Sequence, residues 1–372
     1  ILQLHHAGRQ THPSITEGKQ PVAPSSIPCK VMKSEPKQLT TEEVKDIILK
    51  FIKGAVRANN AGYDGIELHA AHGYLLGSFL SPYTNKRTDC YGGSTENRTR
   101  ILREIIEGIK EKLGDFPIIV RFSADEFVDS GLEIEESKKI ALYLQEYGAD
   151  ALHISTGIFE SNDKNIDPMS AEQGWRIPLA HTIKQHVTIP IIGVGVIREP
   201  TFAKRIIDEG YADFIALGRA LLADPEWVNK AQSKKDALIN RCTTCGYCTD
   251  RLAHHQSIRC AVNPRAGREF TTPELEVTKR HNQVVHVIGG GSTGMNIAIF
   301  AAKRGFQVRL YEQSNQLGGL LDTASAAPDK EKWHWFKEYL LNQINDSDRI
   351  EVFLNKRITD VELEDLPTGD YV

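Results

Sequence analysis

The sequence is poor in the features that would carry it to a membrane, a nucleic acid or the cell exterior. No apolar run approaches the roughly 18 residues a membrane-crossing helix needs, and no basic flank with an apolar stretch opens the chain as in a signal peptide. Excess base is also absent: 45 Lys and Arg stand against 49 Asp and Glu, a net charge of −4, so no electrostatic footprint for nucleic acid exists. Only six cysteines occur. Cys29 and Cys90 stand alone, while Cys242, Cys245, Cys248 and Cys260 share one short window, which argues for a metal centre rather than a disulfide framework. A cytoplasmic protein acting on small molecules is expected, and a homo-oligomer is compatible with this composition.

What is present is a rhythm. Short β-rich runs, Gly65-Ile66-Glu67-Leu68-His69, Pro117-Ile118-Ile119-Val120-Arg121, Ala151-Leu152-His153-Ile154-Ser155, Pro190-Ile191-Ile192-Gly193-Val194-Gly195 and Phe214-Ile215-Ala216-Leu217-Gly218, alternate with stretches of helical period. Thr41 to Asn59 is one such stretch, opened by an N-cap signal at Thr40-Thr41-Glu42-Glu43, and Asn97 to Leu113 is another, closed by Gly114. Parallel strands covered by helices follow, an α/β architecture whose best form is a (β/α)₈ TIM barrel, with an open doubly wound sheet as the alternative. In a barrel, the C-terminal rim carries the chemistry, and His69, Arg121, Gly195 and Gly218 are expected there. The opening run Ile1-Leu2-Gln3-Leu4-His5 already reads as a strand. It makes six barrel-type strands, so two strands are expected to precede this sequence. The rhythm stops after Pro225-Glu226-Trp227, a polar stretch runs from Arg268 to Asn282, and boundaries are expected near 230 and near 280. The strand, glycine turn and helix that follow run to Val372, and more of the dinucleotide domain is expected beyond it.

Three motifs carry chemistry. His69-Ala70-Ala71-His72-Gly73-Tyr74 places two imidazoles on a loop where they can converge on one oxygen as donors, beside a phenol that can supply a proton. Such a set stabilises an enolate; a pair of core or metal-binding histidines with a packed tyrosine is the alternative. Cys242-Thr243-Thr244-Cys245-Gly246-Tyr247-Cys248, with Cys260 at a distance, suits a cubane cluster, while structural zinc commonly uses two separated pairs. Val287-Ile288-Gly289-Gly290-Gly291-Ser292-Thr293-Gly294 is a strand followed by G-x-G-x-x-G and an Ala-rich helix, with Glu312 ending the next strand. In that context it reads as a Rossmann fingerprint: Gly289 turns, Gly291 admits a pyrophosphate, Gly294 lets the helix pack and Glu312 can hold a ribose hydroxyl.

The first motif, extended to Leu75 and followed by Phe79-Leu80-Ser81-Pro82, Asn85-Lys86-Arg87-Thr88-Asp89, Tyr91-Gly92-Gly93-Ser94 and Glu96-Asn97-Arg98, resembles the signature of Old Yellow Enzyme-type flavin oxidoreductases. Gln3-Leu4-His5-His6-Ala7-Gly8-Arg9, Val120-Arg121-Phe122-Ser123 and Leu217-Gly218-Arg219-Ala220 match as well. The resemblance extends over essentially the whole chain. With the cysteine window it points to the iron-sulfur branch, similar to 2,4-dienoyl-CoA reductase, 2-enoate reductase and trimethylamine dehydrogenase.

That resemblance implies a partial FMN-binding TIM barrel over 1–230, a 4Fe-4S segment and linker over 231–280, and a partial FAD/NAD(P)-binding Rossmann-like domain over 281–372. It implies that His69 and His72 bind a substrate carbonyl, that Tyr74 protonates the α-carbon, and that Gln3 and Arg121 face the pyrimidine edge of FMN. Gly195, Gly218 and Arg219 are implied at the FMN phosphate, the four cysteines at a 4Fe-4S cluster, and Gly289, Gly291, Gly294 and Glu312 at FAD. The implied activity is reduction of an unsaturated carbonyl (enoate, enone or enoyl-CoA) with electrons from NAD(P)H. An amine dehydrogenase of the trimethylamine dehydrogenase type and a non-catalytic electron-transfer fragment are the alternatives.

Overall fold

The computed structural model describes residues 1–272, 283–365 and 370–372, so the boundary expected near 280 lies outside the described residues. The chain divides into two compact units. One comprises 1–167, 171–197 and 201–217; the other comprises 168–170, 198–200 and 218–372. Among the described residues no helix is long and apolar enough to cross a membrane.

The first unit is built on one parallel sheet of six strands: β1 (Leu2–Leu4), β2 (Ile66–Ala70), β3 (Ile118–Ser123), β4 (Ala151–Ser155), β5 (Ile191–Val194) and β6 (Phe214–Ala216), neighbours in chain order. These are the six runs expected from the sequence. Register explains their composition. Ile66 pairs with Ile118, and Leu68, Val120, Leu152 and Ile191 form a continuous row across four strands. All of them are buried. Their neighbours along each strand point to the opposite face, and there the chain is polar: Gln3, Glu67, His69, Arg121, Ser123, His153 and Ser155.

The helix Thr41–Asn60 starts at a capping box, with the Glu43 amide donating to Thr40 Oγ1 (3.2 Å) and the Thr40 amide donating to Glu43 Oε2 (2.9 Å). It buries Val44, Ile47, Ile48 and Phe51. The helix Thr95–Leu113 buries Ile101, Leu102, Ile105, Ile106 and Ile109 and stops at Gly114, whose φ of 61° is open to glycine at little cost.

In the second unit a three-stranded parallel sheet has the order β9-β8-β7, with β7 spanning Val284–Ile288, β8 Gln307–Tyr311 and β9 Ile350–Phe353. Helices Ser292–Lys303 and Trp333–Asn345 make the two crossovers. Met295, Ala298, Ile299 and Ala302 from the first helix and Phe336, Leu340 and Ile344 from the second pack with Val287, Val308 and Leu310 into its core. Cys242 and Cys260 lie against that cluster.

Candidate functional site

His69 is the fourth residue of the five-residue strand β2, and the chain then turns through two left-handed residues, His72 (φ 61°) and Gly73 (φ 76°). For histidine that conformation is uncommon. It is held from both sides: the His72 amide donates to Ser123 Oγ (3.0 Å), and Gln10 Nε2 donates to the His72 carbonyl (2.7 Å). At Gly73 an added Cβ would stand 2.8 Å from Gln10 Oε1. The turn brings the three expected side chains together, with ring centroids 5.1 Å apart for His69 and His72 and 5.0 Å for His69 and Tyr74.

The surroundings fix their protonation. Burial, and next the nearby Arg121 guanidinium, push the His69 pKa down to about 3 and that of His72 well below the ordinary histidine value. Both rings are neutral at physiological pH. The Ala71 amide donates to His69 Nδ1 (3.3 Å), so the proton of that ring sits on Nε2. His72 Nε2 lies 2.7 Å from the Ser155 hydroxyl. Burial raises the Tyr74 phenol despite the opposing pull of Arg121, keeping it protonated. His69 Nε2–H and the phenol are thus both hydrogen-bond donors without formal charge.

Arg121 is expected at the rim but lies inside β3, two residues before the strand ends, because the ladder to β4 continues as far as Ser123 and Ser155. Its Nε is buried without a hydrogen-bond partner. Gln3 Nε2 donates to Glu67 Oε2 (2.5 Å), and Glu67 Oε1 lies 2.7 Å from His153 Nδ1. Glu67, His153 and Ser155 were not anticipated from the sequence; the signal that finds them is strand alternation, which puts them on the face of His69 and Arg121. Gly195 directly follows β5 at φ 131°, where an added Cβ would meet the Arg176 side chain at 3.0 Å. A buried guanidinium with an unpaired N–H, on the same sheet face as the Gln3 amide, suits a planar group with hydrogen-bond acceptors that becomes negative on reduction, as the pyrimidine ring of FMN does.

In the second unit Gly218 caps the five-residue helix Arg219–Ala223. Arg219 is placed beside the cysteines, where its charge acts on the Cys242 and Cys248 thiols. Burial raises both thiols and lifts Cys260 to about 11, and the Cys245 sulfur is close enough to act on all three. The Thr244 amide donates to Cys242 Sγ (3.4 Å). Buried Arg198 donates from Nε to the Cys242 carbonyl (3.2 Å) and from Nη2 to Thr244 Oγ1 (3.0 Å), and its guanidinium lies 5.4 Å from the Trp335 ring centre. Among the described residues no three His, Cys, Asp or Glu side chains are gathered as for a single metal ion. Four neighbouring thiols with a cation and an N–H to sulfur bond suit a cluster, which needs thiolates and compensation of their charge.

At the end of β7, Gly289 adopts φ 100°. Gly291 has nothing within 4 Å of an added Cβ, whereas at Gly294 that atom would stand 1.9 Å from the Gly289 carbonyl oxygen. The loop and the start of the following helix line a cavity of about 720 Å³. Glu312 follows β8; its Oε2 accepts from the Gly290 amide (2.7 Å) and its Oε1 from the Ser314 hydroxyl (2.5 Å), and these bonds, the Ser314 hydroxyl foremost, hold the carboxyl below its ordinary pKa. An open Gly291 and a tightly packed Gly294 suit a dinucleotide pyrophosphate at the helix N-terminus.

Comparison with known proteins agrees with both units. Residues 1–237 match the NADH:flavin oxidoreductase / NADH oxidase family. The chain belongs to that family. Its fold is the family's TIM barrel followed by a Rossmann-like unit, residues 287–356 matching an NAD(P)-binding Rossmann-like domain. The family implies FMN, and the second domain implies NAD(P)H. The chain is 53% identical over 343 residues to the NADH oxidase of Thermoanaerobacter brockii, covering 91% of this chain and 52% of that protein. It is 39% identical over 340 residues to the cinnamate reductase of Clostridium sporogenes, covering 86% and 50%. Among solved structures, a 2-naphthoyl-CoA reductase superposes with a TM-score of 0.91 at 30% identity, covering 97% of this chain and 57% of that one. A histamine dehydrogenase from Rhizobium sp. 4-9 gives 0.89 at 29% identity, covering 97% and 53%. The chain thus spans about half the length of the curated relatives it matches.

Proposed function

We propose that this chain provides the catalytic barrel of a flavin-dependent reductase acting on the double bond of an α,β-unsaturated carbonyl: an enoate, enone or enoyl thioester. The observation that carries this reading is the neutral trio of His69, His72 and Tyr74. The two imidazoles hold the carbonyl oxygen and stabilise the negative charge that develops on it, and Tyr74 delivers a proton to the α-carbon. FMN, held by Gln3, Arg121 and Gly195, would supply the hydride. Cys242, Cys245, Cys248 and Cys260 are proposed to hold a 4Fe-4S cluster, and Gly289, Gly291, Gly294 and Glu312 the ADP part of FAD, so that electrons from NAD(P)H can enter. The similarity to a cinnamate reductase and a 2-naphthoyl-CoA reductase supports this substrate class.

Amine oxidation is the second reading, favoured by the similarity to histamine dehydrogenase. The electrostatics weigh against it. Arg121 acts on His69, His72 and Tyr74, so a cationic amine would sit in a positive potential, whereas an incipient enolate is drawn into it.

The test is anaerobic purification of the full-length protein, with flavin and iron determined and flavin reoxidation followed on enoates, enoyl thioesters and methylated amines. Reoxidation by an enoate, slowed about 10²- to 10⁴-fold by Tyr74→Phe with reduction by NAD(P)H unchanged, supports the reading. Flavin reduction by an amine with no response to any enoate reverses the reaction class, and zinc in place of iron overturns the cluster.

A further inference from the structure

The polar face of the barrel sheet holds a hydrogen-bonded chain of which the proposed chemistry uses only Gln3. Gln3 on β1 and Glu67 on β2 are register partners, and so are His69 on β2, Arg121 on β3 and His153 on β4. Glu67 takes one bond from each side, from Gln3 Nε2 at 2.5 Å and from His153 Nδ1 at 2.7 Å. His153 Nε2 is buried with no partner. That nitrogen has no acceptor for a second proton, so His153 stays neutral and its one proton remains on Nδ1, aimed at Glu67. Burial pulls the Glu67 carboxyl upward, but His153, Gln3 and the Arg121 charge together bring it below its ordinary range. Glu67 is therefore a carboxylate, which can only accept.

The consequence falls on Gln3. An amide offers a donor end and an acceptor end of nearly equal shape, and a carboxylate accepts only the NH₂ end. We propose that Glu67, braced by His153, is a positioning residue that turns Gln3 so that its carbonyl oxygen faces the cofactor cavity, selecting a ligand edge that presents an N–H. The flavin N3–H is such a group, and the inference rests on the reading that the barrel binds FMN. Three elements thereby act as one unit: β4 braces β2, and β2 orients β1.

The experiment uses the full-length protein stripped of flavin and reloaded with FMN or with FMN methylated at N3, affinity being read from quenching of flavin fluorescence. The wild-type protein is expected to prefer FMN to the methylated analogue by about tenfold or more, the equivalent of one hydrogen bond. Glu67→Gln frees the amide to turn, so FMN binds about tenfold more weakly and the preference collapses. In a Gln3→Met background, Glu67→Gln is expected to change neither affinity, a coupling that a merely structural role for Glu67 would not show. Should Glu67→Gln fail to fold, His153→Gln reads the same effect from the far side of the carboxylate. Unchanged preference in the folded variants overturns this inference alone. A wild-type protein that takes up neither flavin overturns the cofactor reading and this inference with it.

Discussion

His72 and Ser155 meet through a single buried contact, imidazole Nε2 to hydroxyl oxygen at 2.7 Å, between a loop residue after β2 and the last residue of β4. Removing the hydroxyl with Ser155→Ala leaves a buried ring nitrogen unpartnered, at an expected cost of about 1–3 kcal/mol. Chemical denaturation measures it. The same variant is expected to weaken binding of a carbonyl ligand, because the ring is no longer held in one orientation.

The neutral histidines also tie stability to pH. An unfolded chain protonates His69 near its ordinary value of 6.5, whereas the folded chain holds it unprotonated down to about 3. Stability from this site is therefore complete above about 6.5 and is lost as pH falls through the interval towards 3. His69→Asn should flatten the dependence of unfolding free energy on pH between 7 and 4; an unaltered slope would show that the imidazole titrates normally in the fold.

Glu126 has the opposite sign. Fully buried in the loop after β3, it is raised by burial to about 7 even though Ser81 Oγ (2.5 Å) and the Leu132 amide (3.0 Å) donate to it. A carboxyl whose folded pKa exceeds its unfolded one stabilises below the unfolded value of about 4.5, and that contribution disappears as pH rises through 7. Glu126→Gln, which keeps a neutral hydrogen-bonding group, is expected to raise the melting temperature at pH 8 relative to the parent and to change it little at pH 5. Equal shifts at both values would remove the carboxyl's titration as the cause.

The last two glycines of the nucleotide loop separate folding from binding. Gly294→Ala drives a methyl group into the Gly289 carbonyl and is expected to destabilise the second unit by about 1–3 kcal/mol. Gly291→Ala meets open space. It should leave the melting temperature unchanged while obstructing the pyrophosphate, seen as loss of one flavin on purification.

Much of this was legible in the residues. The six strand runs and the capping box at Thr40 follow from local pattern, because β-branched runs and side-chain caps act over a few residues. The trio at His69, His72 and Tyr74 was legible as a motif. Its neutrality was not, since that depends first on burial in the folded barrel and, for the two histidines, next on Arg121, which the β2–β3 ladder brings close. Glu67 and His153 looked like ordinary polar positions in strands; their bond joins residues 86 apart in sequence. Arg219, implied at a phosphate by resemblance, also stands beside the cysteines, and nothing in its local sequence carries that placement.

The register row His69, Arg121 and His153 gives the barrel an unusual dependence. These residues face one way only because three strands keep the same offset, and a slip of one position in any of them would turn its side chain towards the helices. The chemistry is thus encoded as much in backbone alignment as in side-chain identity. Loops around the rim can change in length or sequence and reshape what is admitted without disturbing this row, which stays locked to the ladder that folds the domain.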